Sequence, residues 1–337
     1  MSRKTIKKII ISRTDNIGDV VLTLPIAGAI KRYLPDSKIL FLGKEYVRSL
    51  VTTSQYIDEF ISLDELQNNK FVDRISIIKK YRADAIIHVF PNKQIAKIAS
   101  KAKIMYRVGT SHRSYHWYTC NRLINLGRKN SNLHESQLNL HLLSKIDIPY
   151  HFELKEIPDL FGLTKYPKLD KRFWSLIDKN RFNLILHPKS KGSAREWGEN
   201  NFGRLIEILP EEKYNIFISG TAEEGNLLKS FIKKYKKRVV DITGKMNLDE
   251  LISFIKNSDG LVAASTGPLH IAAALGIYTI GLFAPMRPIH PSRWAPIGTN
   301  TDYLVLDKEC NDCKNQSICN CILSIHPESV KNLLDKI

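Results

Sequence analysis

The sequence predicts an α/β protein built from two doubly wound parallel-sheet domains in tandem. Three observations carry that prediction. Short apolar, β-branched runs alternate with amphipathic helical stretches, which is the pattern of βαβ units. The alternation lapses near Leu154–Pro167, where Pro158, Gly162 and Pro167 cluster, and then restarts. The chain is 337 residues long and 43% hydrophobic, enough for two cores. The domains are therefore expected at 1–165 and 166–337, with the last helix able to pack back on the first.

Each element follows from its local pattern. Lys7–Ser12 is a buried-strand run, followed by the loop Arg13-Thr14-Asp15-Asn16-Ile17-Gly18-Asp19. Val20–Leu34 reads as one helix that ends before Pro35, and Lys38–Leu42 as a second strand. Ala85–Phe90 is a strand closed by Pro91. In the second half, Phe182–Leu186 is a strand that opens into the loop His187–Trp197. A helix is expected over Asn201–Leu209, a strand over Tyr214–Ser219 and a loop over Gly220–Glu224. Asn247 should cap a helix running to Lys256. Leu261–Ala264 should be a strand feeding a helix over Pro268–Leu275. Ser265 or Thr266 would cap that helix, Pro268 suits its first turn and Gly276 its stop. Tyr278–Phe283 is a last strand, and Pro327–Lys336 a terminal helix. In such sheets ligands lie beyond the carboxyl ends of the strands, here in a cleft expected between the two domains.

Charge narrows the partners. The net charge is +17, with 28 Lys and Arg against 16 Asp and Glu in residues 1–170. No acidic residue occurs between Asp84 and Glu135, a stretch holding nine Lys and Arg interleaved with Tyr106, Tyr115, Trp117 and Tyr118. Such a surface attracts anions: nucleic acid, an acidic leaflet or an acidic substrate. No apolar run approaches the roughly 18 residues of a membrane-crossing helix. Three isoleucines after a basic start are too few for a signal-peptide core. Five cysteines, an odd number, suit a reducing compartment. Cytoplasmic residence is the expectation.

Four segments carry chemistry. The strand-to-helix junction at Ser265-Thr266-Gly267 would aim backbone N–H groups and a positive dipole end at one spot, which favours a phosphate. The loop His187–Trp197 holds Lys189, Lys191 and Arg195, which can neutralise a diphosphate, and hydroxyls such as Ser190 that can hydrogen-bond its oxygens, or it is simply a mobile basic surface loop. Asp19, in the first turn of its helix, can take a proton from a hydroxyl or simply favour the helix dipole; Asp15 could be a cap. Glu224 can bind ribose hydroxyls or start a helix. Neither a GxxxxGK[ST] loop nor a GxGxxG after the first strand is present, which argues against a Walker site and a nicotinamide dehydrogenase. Cys310, Cys313, Cys319 and Cys321 have a spacing that zinc could use, though tightly, and are the weakest of the candidate sites. Cys120 reads as packing.

Taken together, TDNIGDVVLTLP, HPKSKGSAREWGENNFGRLIEIL, FISGTAEEG and DITGKMNLDELISFIKNSDGLVAASTGPLHIAAALG resemble glycosyltransferase family 9, the ADP-heptose:lipopolysaccharide heptosyltransferases. The resemblance implies a GT-B fold of two Rossmann-like domains, with acceptor in the first and nucleotide sugar in the second. It implies an inverting single displacement with Asp19 as general base and Arg195 assisting. Ser190, Lys191, Glu224, Ser265, Thr266, Gly267 and His270 would hold the donor. No cofactor and no essential divalent cation are implied, the ADP-sugar being a substrate. Ser265 departs from the aspartate that many members carry, which leaves open the donor sugar. Lys97, Lys101, Lys103 and Arg113 are the candidates for meeting the acidic inner core of lipopolysaccharide, at the inner face of the inner membrane. The alternatives are a family member with another nucleotide sugar or acceptor, a nicotinamide-dependent oxidoreductase and, from charge alone, a nucleic-acid-binding protein.

Overall fold

The structure, a computed structural model, describes residues 6–128, 131–307, 310 and 318–337. The chain divides into two units, Met1–Lys165 and Tyr166–Ile337. Each is built on a six-stranded, wholly parallel sheet.

The first sheet contains β1 (Lys8–Ser12), β2 (Lys38–Gly43), β3 (Glu59–Ser62), β4 (Ala85–His88), β5 (Tyr106–Thr110) and β6 (Arg122–Ile124), in the order β3-β2-β1-β4-β5-β6. The second contains β7 (Phe182–His187), β8 (Tyr214–Ile218), β9 (Val239–Asp241), β10 (Gly260–Ala264), β11 (Tyr278–Leu282) and β12 (Thr301–Leu304), ordered β9-β8-β7-β10-β11-β12. Counted within each unit, both orders are the same. The central strands are covered on both faces, so they read as continuous apolar runs: Ile9, Ile10 and Ile11 in β1, and Leu184, Ile185 and Leu186 in β7, are all fully buried. The strand order reverses direction between β1 and β4, and again between β7 and β10. Each switch point leaves a crevice beyond the strand ends of its own sheet, where the loops after β1, β7 and β10 emerge.

Two expectations change. The helix expected over Val20–Leu34 is two helices, Ile17–Val21 and Pro25–Tyr33. Pro25 cannot donate to the preceding turn, but it fits the first turn of a new helix. The stretch expected as a linker is instead packed into the first unit: Leu160, in the second of two short 3₁₀ turns, and Ile157 and Phe161, which flank it, are buried. There the backbone of Leu160 lies so close to Gly28 that a β-carbon would come within 2.3 Å of its carbonyl oxygen. The terminal helix, Pro327–Leu334, lies against the helix Glu199–Ile208 within the second unit. Trp197, fully buried, donates from Nε1 to the carbonyl of Ile325 at 2.9 Å and so anchors this segment.

Cys310, Cys319 and Cys321 are buried in the core of the second unit beside Trp197 and Ile322, where a thiol packs as a small apolar group. Cys313 lies outside the described residues. Among the described residues no group of three or more His, Cys, Asp or Glu is arranged to hold a metal ion. Cys120 is buried in the first unit, and burial pushes its thiol up to about 11. Among the described residues no helix is long and apolar enough to cross a membrane.

Candidate active site

In the first unit the site forms on the loop after β1. Asn16, in extended backbone, precedes the helix Ile17–Val21, and Asp19 falls in its first turn. Asp15 is not a cap: its carboxylate accepts from Arg13 Nε at 2.6 Å. Arg13 also donates from Nη2 to Asp19 and from Nη1 to Glu135, the latter at 3.3 Å. Glu135 begins the helix Glu135–Leu140 and accepts as well from Arg128 Nη1. Asn139, one turn on, accepts from Arg128 Nη2 at 3.0 Å and donates to the carbonyl of Leu22 at 3.0 Å. The result is a largely buried cluster of three carboxylates and two guanidiniums.

Electrostatics follow from that packing. Burial favours the neutral carboxyl of Asp19 and outweighs the attraction of Arg13; repulsion from Asp15 and Glu135 adds to it. The carboxyl is pushed up to about 6, close to the working pH of a general base. Burial works against the charge of Arg13, but Asp15, Asp19 and Glu135 together outweigh it and hold the guanidinium charged. Arg13 carried no signal as a site residue because it looks like the polar end of a strand. Glu135 and Arg128 are more than 100 residues from the loop they serve. The one hint was Glu135 closing the acid-free stretch.

In the second unit the helix Gly267–Leu275 starts directly beyond β10. Thr266 is its N-cap, and no side chain caps the turn. The Thr266 hydroxyl is buried without a hydrogen-bond partner, at the point where the helix leaves its first N–H groups unused. A buried hydroxyl left unbonded costs about 1–3 kcal/mol, so a ligand oxygen there recovers a real deficit. Gly276, at φ +81°, ends the helix in the left-handed region that glycine tolerates. His270 is buried on the same helix, its ring 6.5 Å from that of Trp294. Ser265 is half-buried beside Thr266.

The loop after β7 uses much of its own charge. Lys189 bridges Glu196 at 3.4 Å and Glu199 at 2.9 Å, which anchors the loop rather than freeing a cation. The Ser190 hydroxyl donates to the carbonyl of Ala194 at 3.0 Å, so it too is engaged within the loop. Lys191 pairs with Glu223 at 2.8 Å, but both are well exposed, and water screens such a pair, so it releases at little cost. Arg195 is half-buried next to the buried Trp197. Lys189 is thus held by two ion pairs within its loop and Lys191 by one exposed pair.

Glu224 caps its own helix. Its Oε2 accepts from the Thr221 N–H at 2.7 Å, and the Thr221 hydroxyl accepts from the Glu224 N–H. The helix-start reading of this glutamate holds, and ribose binding would have to share the carboxylate. Beside it, buried His187 reaches Ser219 Oγ with Nδ1 at 2.9 Å, and burial keeps the ring neutral.

Lys97 and Lys101 lie one turn apart on the exposed face of the helix Lys93–Lys101. Lys103 follows its end, and Arg113 is exposed beyond β5. They belong to the first unit, as does Asp19.

Residues 76–322 match the sequence model of Glycosyltransferase family 9 (heptosyltransferase). The chain belongs to glycosyltransferase family 9. It is an enzyme, a glycosyltransferase with the two Rossmann-like units of the GT-B fold. Among its relatives, a glycosyltransferase of Haemophilus influenzae is 25% identical, covering 86% of each chain. The lipopolysaccharide heptosyltransferase 1 of Campylobacter coli is 23% identical and covers 98% of both. The solved ADP-heptose lps heptosyltransferase II of Escherichia coli superposes with a TM-score of 0.75 at 16% identity, covering 98% of both chains.

Proposed function

We propose that this family 9 enzyme transfers a heptosyl residue from ADP-L-glycero-D-manno-heptose to the inner core of lipopolysaccharide, either Kdo-lipid A or a core heptose. The observation that carries the reading is Thr266: a buried, unsatisfied hydroxyl on an uncapped helix start, at the switch point of the second sheet. The names of the Campylobacter and Escherichia relatives support the sugar and the acceptor.

In this reading the acceptor hydroxyl attacks the anomeric carbon as Asp19 takes its proton. The bond to the diphosphate breaks while the new one forms on the opposite face, inverting the centre. Charge grows on the departing ADP and is met by the Thr266 hydroxyl, the Gly267 N–H, Arg195 and Lys191. His270 and Ser265 orient the donor, and Glu224 reaches the ribose. No metal is required. Lys97, Lys101, Lys103 and Arg113 receive the acidic sugars and phosphates of the acceptor, and the same charge holds the enzyme at the anionic inner leaflet.

ADP titrated into the protein by calorimetry tests the donor assignment. Binding that weakens in Thr266→Val supports it. ADP binding unchanged by that substitution contradicts it. A second reading, another nucleotide sugar, is favoured by Ser265, which offers a hydroxyl where many family members offer a carboxylate. Comparing turnover with several ADP-sugars separates the two.

A further inference from the structure

The cluster around Asp19 holds more charge than a base and its partner need. We propose that Glu135 and Arg128, neither of which touches the acceptor in this account, are the positioning residues that set the proton affinity of Asp19, acting through Arg13. The inference rests on the reading of Asp19 as the base and deepens it.

Geometry supplies the link. Arg13 is shared: Nη2 holds Asp19, Nε holds Asp15 and Nη1 reaches Glu135. Glu135 is shared in turn between Arg13 and Arg128. Asn139 closes the loop by accepting from Arg128 and donating to Leu22, at the end of the helix that carries Asp19. Thr23 completes it by donating to the Asp19 carbonyl at 2.9 Å. The side chain of Glu135 is 1% exposed and that of Arg13 4%, so their charges are poorly screened. Among the described residues Tyr46, from the turn Glu45–Val47, also interacts with Asp19, and its hydroxyl donates to the Asp15 carbonyl at 2.6 Å.

Counted over these described residues, three carboxylates face two guanidiniums. The resting cluster carries one negative charge in excess. A proton arriving on Asp19 Oδ from the acceptor hydroxyl makes the cluster neutral; it leaves to water after the product departs. Glu135 therefore favours proton capture and Arg128 opposes it. The balance between them places the carboxyl where it is ionised at neutral pH yet still able to take a proton. A Glu135-free cluster would be neutral at rest and a weaker base.

The test is a carbon-13 NMR titration of the Asp19 carboxyl in protein labelled at aspartate Cγ, assigned by the signal lost in Asp19→Asn. Glu135→Gln, close to isosteric, removes a like charge; the Asp19 midpoint should fall by about one pH unit. Arg128→Met removes an opposite charge, and the midpoint should rise by a similar amount. Opposite signs are the signature. A merely structural role would let water in and lower the midpoint in both variants. A midpoint that falls or stays put in Arg128→Met overturns the proposal, and this variant alone decides should Glu135→Gln fail to fold. The titration needs no substrate, so it is separable from the base assignment. Turnover retained by Asp19→Asn would remove the base while leaving the titration result standing.

Discussion

Replacing Asp19 by Asn should make the protein inactive and more stable at once. The carboxyl is raised from 3.8 to about 6 in the folded chain, chiefly by burial. A shift of about two units corresponds to roughly 3 kcal/mol of unfavourable free energy for keeping the group ionised at neutral pH. The sign follows from proton uptake. Between pH 4 and 6 the folded state binds the proton that the unfolded state has lost, so folding stability falls as pH rises through that window. Above it the full cost is present; below the unfolded value it is gone. Asparagine fills the same volume and carries no charge. Asp19→Asn should therefore unfold about 3 kcal/mol later at pH 7, a rise of roughly 6–12 °C in Tm. The gain should vanish near pH 4. Transfer should drop by about 10²–10⁴-fold. Denaturant melts at pH 7 and pH 4, beside an ADP-release assay, measure all three. A variant less stable than the parent at pH 7 would show that the Arg13–Asp19 attraction outweighs burial, and the electrostatic account of the site would be wrong.

Other substitutions probe separate parts of the account. Thr266→Val should leave folding intact, since it removes an unpartnered hydroxyl, and weaken ADP binding roughly tenfold by calorimetry. Glu at Lys97, Lys101 and Lys103 together should raise the KM for the lipid acceptor while ADP affinity stays constant; equal loss of both would point to misfolding. Gly28→Ala should destabilise the first unit by about 2 kcal/mol or more in a urea melt, because the added carbon meets the Leu160 backbone. Parental stability there would mean that Ile157–Phe161 does not pack as described. The wild-type rate should fall on the acid side near pH 6 as Asp19 is protonated, and a pH–rate profile flat from 5 to 8 would deny it the role of base.

Strands were legible because each is an apolar run bounded by polar or glycine residues; β1, β2, β7 and β10 begin and end within a residue or so of their expected limits. The helix start at Thr266 and its stop at Gly276 were legible because caps are local chemistry. Asn247 shows the same: its side chain accepts from the Glu250 N–H, closing a capping box. What failed to read was tertiary. Pro25 is compatible with the first turn of a helix as well as with a break, and the sequence does not say which. Ile157, Leu160 and Phe161 sit among prolines and glycine, so their burial against the first unit was hidden by the composition around them. In the basic loop, charge was legible but its use was not: Lys189 is taken by Glu196 and Glu199, and Ser190 by Ala194. The partners of Asp19 are the sharpest case, since Glu135 meets Arg13 only because the chain returns after five further strands.

The direct test of the account is transfer itself. Purified protein is mixed with ADP-L-glycero-D-manno-heptose and Kdo-lipid A or a heptose-bearing core, and the glycolipid is followed by mass spectrometry. The glycolipid should gain one heptosyl residue with release of ADP, and Asp19→Asn should do neither. A glycolipid unchanged with every core acceptor, while ADP-heptose is bound or consumed elsewhere, would contradict it.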